Sequence, residues 1–76
     1  MRDDFIKASK MHFKGMIEKH RVNTENIMRN SVGIGEHGDI MEEIEKELDA
    51  MAVYDDKLKM LNKYFSETVN KKILND

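Results

Sequence analysis

Gly33-Ile34-Gly35-Glu36-His37-Gly38 holds three of the four glycines in this 76-residue chain, and its reading decides the fold. The hexapeptide matches G-x-G-x-x-G, the pattern of a dinucleotide-binding turn. That turn works because a buried strand delivers its glycines to a helix N-terminus, whose amides hold the pyrophosphate. Here the preceding residues, Met28-Arg29-Asn30, close a helical pattern instead, and no period-two alternation of useful length is available to build a sheet. Glu36 and Asp39 also put carboxylates where phosphate would have to approach. Dinucleotide binding is rejected on these grounds. The glycines instead supply left-handed dihedrals for a helix stop and a tight reversal, with Val32 and Ile34 tucked inward to close one end of the bundle.

On the N-terminal side of the reversal, Ile6, Phe13, Ile17, His20, Thr24, Ile27 and Met28 recur mostly at steps of three or four, with Phe5, Met11 and Met16 broadening the stripe. That spacing marks one face of a helix. Asp3 or Asp4 is placed to cap its first turn, and the helix fades near Arg29-Asn30. Gly15 lies in its interior, a position that permits another helix to approach closely. On the C-terminal side, Asp39-Ile40-Met41-Glu42 has the form of a capping box, with Asp39 as N-cap and Glu42 reaching back. Met41, Ile44, Leu48, Met51, Tyr54, Leu58, Leu61 and Phe65 then continue at helical spacing. One long second helix is expected, the alternative being a break near Val53-Tyr54-Asp55-Asp56 with Asp55 or Asp56 capping a third. Val69, Ile73 and Leu74 allow a short C-terminal helix. The fold class expected is all-α: an antiparallel helical hairpin or small three-helix bundle. Its helices run over about residues 4–29 and 40–65, in a single domain (1–76) with its loop at residues 30–38.

The chain has no cysteine and no proline, and 37% of its residues are charged. A disulfide framework and a thiolate metal site are thereby excluded, and long helices are favoured. The longest apolar run, Ala50 to Tyr54, is far too short to span a membrane. With no signal-peptide pattern after Met1-Arg2-Asp3-Asp4, a soluble intracellular protein is expected. A net charge of −2 conceals a division: residues 1–35 are net basic, 36–56 strongly acidic, and 57–76 basic again. Antiparallel segments of such charge offset one another, and the acidic stretch is also a surface for a basic partner.

No residue constellation points to catalysis. The chain lacks G-x-x-x-x-G-K-[ST] and an acidic magnesium box. His12 and His20 stand eight residues apart, over about 10 Å by helical rise, and no H-x-x-x-H or H-x-x-E pair exists, so no metal site is assigned. His37 in the loop is an ordinary loop histidine or a contact residue. Glu42, Glu43, Glu45, Glu47 and Asp49 lack the D-x-D-x-D-G arrangement of a calcium loop and read as a solvated face. Most of the six internal methionines fall on the apolar stripes as core residues, and methionine-rich surfaces also adapt to partners. No catalytic, cofactor or metal residue is assigned. The candidate partner contacts are Glu36, His37, Glu43 and Glu47. Lys57, Lys63, Tyr64, Lys71 and Lys72 mix basic and aromatic side chains, which suits backbone contact plus base stacking on a single strand.

The stretch Asn30-Ser31-Val32-Gly33-Ile34-Gly35-Glu36-His37, continuing through Asp39-Ile40-Met41-Glu42-Glu43-Ile44-Glu45-Lys46-Glu47-Leu48 to Tyr54-Asp55-Asp56-Lys57-Leu58, resembles the small acidic module associated with the UvsW recombination helicases of T-even phages, either as an adjoining reading frame or as the helicase's C-terminal piece. The resemblance covers roughly residues 22–65 and includes none of the helicase motifs. It implies a non-catalytic accessory module of a phage DNA helicase, acting in recombination, repair and stalled-fork processing in the cytoplasm of an infected bacterium. Any ATPase activity would belong to the helicase core. The expected partners are that core or another phage recombination protein, with no membrane and no cofactor, the chain itself being a monomer or weak homodimer. A weak single-stranded DNA-binding helical module is the alternative.

Overall fold

The computed structural model describes residues 1–30 and 39–67. They form two α-helices, α1 over Arg2–Arg29 and α2 over Ile40–Tyr64, packed against each other. No strand occurs among the described residues. The expected turn at 31–38 and the C-terminal segment from residue 68 lie outside them, and with them Val32, Ile34, Glu36, His37, Val69, Lys71, Lys72, Ile73 and Leu74.

The first helix starts earlier than its carboxylates predict. Met1 is the N-cap and makes no side-chain cap bond, while Asp3 and Asp4 lie inside the first turn. Their charge still complements the positive end of the helix dipole, but neither is the cap. The Phe5 amide donates to the Met1 carbonyl at 3.1 Å and begins the helical ladder. At the other end the Asn30 amide donates to the Asn26 carbonyl at 2.9 Å. The Asn30 side-chain amide adds a 2.7 Å bond to Asn26 Oδ1. This satisfies groups that a helix terminus otherwise leaves open.

The start of α2 is the best-determined signal in the chain. Asp39 is extended, and its Oδ1 accepts from the Met41 amide at 2.9 Å and the Glu42 amide at 3.4 Å. The Asp39 half of the capping box is therefore made. The helix runs through Val53-Tyr54-Asp55-Asp56 without interruption, so neither aspartate caps a third helix. Asp55 instead binds Lys59 one turn on, at 2.9 Å.

Contacts between the helices are antiparallel. Ile6 and Leu61 line one groove, Phe13 and Tyr54 are in ring contact, Ile17 and Met51 line a second depression, and His20 meets Glu47. On α1 the inward positions are Ile6, Lys10, Phe13, Ile17, His20, Thr24 and Ile27; on α2 they are Ile40, Ile44, Glu47, Met51, Tyr54, Leu58 and Leu61. Both sets step by three and four in strict alternation, the 3.5-residue repeat of helices that stay in contact along their length.

That register corrects the α2 stripe. Met41 is 65% exposed and Leu48 is also exposed, while Ile40 and Glu47 take the positions facing α1. The methionines are corrected too: Met11, Met28, Met41 and Met60 are exposed, and only Met16 and Met51 are half-buried among those expected in the core. Gly15 approaches no helix, since a Cβ placed there would meet nothing within 4 Å. Among the described residues only Ile6 and Thr24 are buried, and neither completely. Two helices in line contact cannot do better, because each covers only a strip of the other. Outward-facing pairs such as Glu18–Arg21 and Glu25–Arg29 dress the solvent side of α1, where water screens them and they add little to stability.

Candidate interaction surface

Three features of the hairpin could act on something outside it, and each is built by the register just described. At mid-length lies a polar and aromatic cluster. His20 Nδ1 is 2.7 Å from Glu47 Oε1, and the Asn23 amide donates to the same oxygen at 3.1 Å. These bonds hold the Glu47 carboxyl below the usual carboxylate range, the His20 bond most and the Asn23 bond less, against partial burial that raises it. Thr24 is buried and donates its hydroxyl to the His20 carbonyl at 2.7 Å, so the buried oxygen is satisfied within its own helix. The His20 ring stacks on Tyr54 at 6.3 Å with a 14° interplanar angle, while His12 meets the edge of the same ring. Lys57 Nζ lies 5.1 Å from the Tyr54 centroid, within range of a cation–π contact.

This cluster is a structural clasp. Its bonds run between the two helices or within α1, Glu47 Oε1 taking both His20 and Asn23, and among the described residues no group of His, Asp and Glu is arranged to hold a metal ion. Glu47, a candidate partner contact, is committed to α1. Glu43 is half-buried with Lys46 3.9 Å away. The outward carboxylates of the same stretch are their neighbours Glu42, Glu45 and Asp49, exposed and without an ion-pair partner among the described residues. They follow each other at helical spacing on the side of α2 away from α1.

The second feature is an open apolar groove of about 490 Å³ where the chain starts and α2 ends, lined by Met1, Phe5, Ile6, Ser9, Leu61 and Phe65, with Arg2 at its edge. Phe5 is 66% exposed and Phe65 53%. Tyr64, 61% exposed, packs beside Phe65 with ring centroids 6.5 Å apart. Two polar ties fix this end. Arg2 donates to the Ser66 carbonyl at 3.1 Å, and Lys10 donates to the Glu67 carboxylate at 3.2 Å. Reading the sequence assigned Phe5 and Phe65 to the core stripe. Phe5 lies one position from Ile6, outside the three–four alternation of the inward set, whereas Phe65 keeps the step of four from Leu61 but stands just past the last residue of α2.

Of the candidate strand-binding residues, Lys63 and Tyr64 fall at the same end, while Lys71 and Lys72 lie outside the described residues. Lys63 Nζ lies 5.2 Å from the Tyr64 ring centroid, and Lys57 covers Tyr54 rather than an exposed ring. Lys63 and Tyr64 are thus brought together, while Lys57 stands almost two turns back along α2.

Charge is the third feature. Residues 1–15 and 54–67, which share the grooved half, carry seven basic and five acidic side chains. Residues 16–30 and 39–53, the half toward the reversal, carry four basic and eight acidic. No helix among the described residues is long and apolar enough to cross a membrane. Comparison with known proteins adds no relative to this geometry: no family model, curated protein or solved structure matches the chain.

Proposed function

We propose that this hairpin is a non-catalytic protein-interaction module that docks through the outward acidic face of α2. Following the resemblance of residues 22–65, its partner is a phage recombination helicase or a protein acting with one. The observation that carries the reading is the row Glu42, Glu45 and Asp49, exposed and unpaired within the described hairpin while the neighbouring Glu47 is satisfied inside it. A rigid helix bearing unpaired carboxylates steers toward a basic surface and sets orientation on arrival. Titrating the full chain into a T-even recombination helicase, followed by calorimetry at low and high salt, tests it. A complex that weakens with salt and is lost in the Glu45→Lys, Asp49→Lys double variant is expected. No heat at low salt would overturn the assignment of partner.

Single-stranded DNA is the second reading, favoured by one observation: Tyr64 is exposed with the Lys63 ammonium over its ring. A base stacked on that ring would find a cation for its phosphate alongside. An oligonucleotide titration watched by amide shifts should move Lys63, Tyr64 and their neighbours, less so at higher salt. Absence of shifts at low salt removes this reading and leaves the acidic-face reading standing.

A further inference from the structure

We propose that the grooved face of the hairpin, centred on Phe5, Leu61 and Phe65, is the contact surface for a second copy of this chain, which closes the open hairpin into a four-helix arrangement. Phe5, Leu61 and Phe65 line one groove. Val53, Met60 and Tyr64, all exposed, continue the face along the flank of α2 next to Leu61, at steps of seven and four.

The area argues for this occupant. Three aromatic side chains more than half exposed leave about 350 Å² of ring surface in water, taking about 150–250 Å² for each whole side chain. Met1, Val53 and Met60 raise the apolar total to roughly 500–600 Å² on one face. A standard interface takes about 800 Å² from each partner, a little over half of it apolar. The face therefore supplies one complete side of an isologous contact, in which the same patch serves both partners.

The interior of the hairpin argues the same way. Among the described residues Ile6 is the one buried apolar side chain, and a chain of this size is marginal even with an ordinary core. Tyrosine and phenylalanine at the centre and lysine at the margin (Lys57, Lys63) follow the usual anatomy of an interface core and rim. Charge does not oppose the association strongly, since the grooved half carries seven basic against five acidic side chains. The acidic row of α2 borders this face, Asp49 standing one turn before Val53, with Glu42 and Glu45 farther from the groove.

The test uses the full chain. Sedimentation equilibrium from about 1 μM to 1 mM spans the affinities of weak to moderate association, and a monomer–dimer equilibrium not weakened by added salt is expected. In a mixed sample of labelled and unlabelled chains, isotope-filtered NOEs should connect Phe5, Tyr64 and Phe65 of one copy with apolar residues of the same face in the other. Phe65→Glu should raise the dissociation constant by more than about thirtyfold, as loss of a central anchor does, with helicity retained. Val53→Glu is the second variant should Phe65→Glu lose its fold, and Met41→Glu, away from the groove, should leave the equilibrium within about twofold. A chain monomeric to 1 mM overturns the proposal. So do NOEs from Phe5 and Phe65 only to Val69, Ile73 or Leu74 of the same chain, a higher assembly in place of a dimer, or an equal effect of Met41→Glu.

Discussion

The Lys10 ammonium lies 3.2 Å from the Glu67 carboxylate, joining α1 to the chain just beyond the end of α2. Both side chains are largely covered, at 26% and 15% exposed, although the pair sits near the open end of the hairpin. Lys10 occupies an inward position of the α1 repeat, so its methylene stem packs along the seam while its charge reaches the edge.

Replacing Lys10 with methionine keeps the stem and removes the charge. Leaving the Glu67 carboxylate partly covered and unpaired should lower stability by up to about 1 kcal/mol. Glu67→Gln should cost less, since its amide can still accept from Lys10. Urea melts of both variants at two salt concentrations read the difference, with the wild-type advantage shrinking as salt rises.

Acid should loosen the middle of the hairpin. The Glu47 carboxyl is held below its ordinary range chiefly by its bond with His20. The folded state therefore binds fewer protons than the unfolded chain between the two pKa values. Its stabilising contribution is complete above the unfolded value of about 4.3 and is lost as pH falls through the depressed folded value. In Glu47→Gln this part of the pH dependence should vanish, with a cost near pH 6 of about 1 kcal/mol. Denaturant midpoints of both proteins measured between pH 6 and pH 3 would show whether the curves converge.

Gly15→Ala should stabilise the protein. The site is interior to α1 and open, so alanine gains helix propensity worth about 0.5–1 kcal/mol without a clash. In a domain of this size that corresponds to a rise in Tm of about 4–8 °C per kcal/mol. An unchanged or lower Tm would mean that a surface outside the described hairpin uses the missing side chain.

Ile6→Ala and Met11→Ala form a contrast. Ile6 is 5% exposed and should cost about 2–4 kcal/mol, enough to unfold much of the population. Met11 is exposed, and its truncation should stay within about 0.5 kcal/mol. Thermal melts by circular dichroism separate the two directly.

The sequence was informative where a local rule sufficed. Asp39 followed by an apolar repeat located the start of α2, and Arg29-Asn30 located the end of α1. Hydropathy also identified the α1 seam, except at Lys10, whose partner Glu67 lies 57 residues away. The α2 seam was less legible because apolar residues compete for it. Hydropathy prefers Met41 and Leu48; the contact geometry takes Ile40 and Glu47, since a strict 3.5 repeat keeps the seam facing α1 while the apolar set wanders off it. A glutamate becomes acceptable inside once His20 and Asn23 stand opposite. That two helices cannot enclose so broad an apolar stripe is legible in the sequence, but which side chains are left over is not, because an aromatic at helical spacing such as Phe65 reads as core.

The uneven placement of charge along the hairpin makes it a permanent electric dipole. Positive charge gathers at the grooved end and negative charge toward the reversal, along helices roughly 40 Å in length. At low ionic strength the field of an approaching surface exerts a torque on such a rod before any side chain makes contact. A polyanion turns the grooved end forward and presents Lys63 with Tyr64. A basic protein turns the other end forward and presents Glu42, Glu45 and Asp49. The sign of the surface, sensed at a distance, decides which end arrives first.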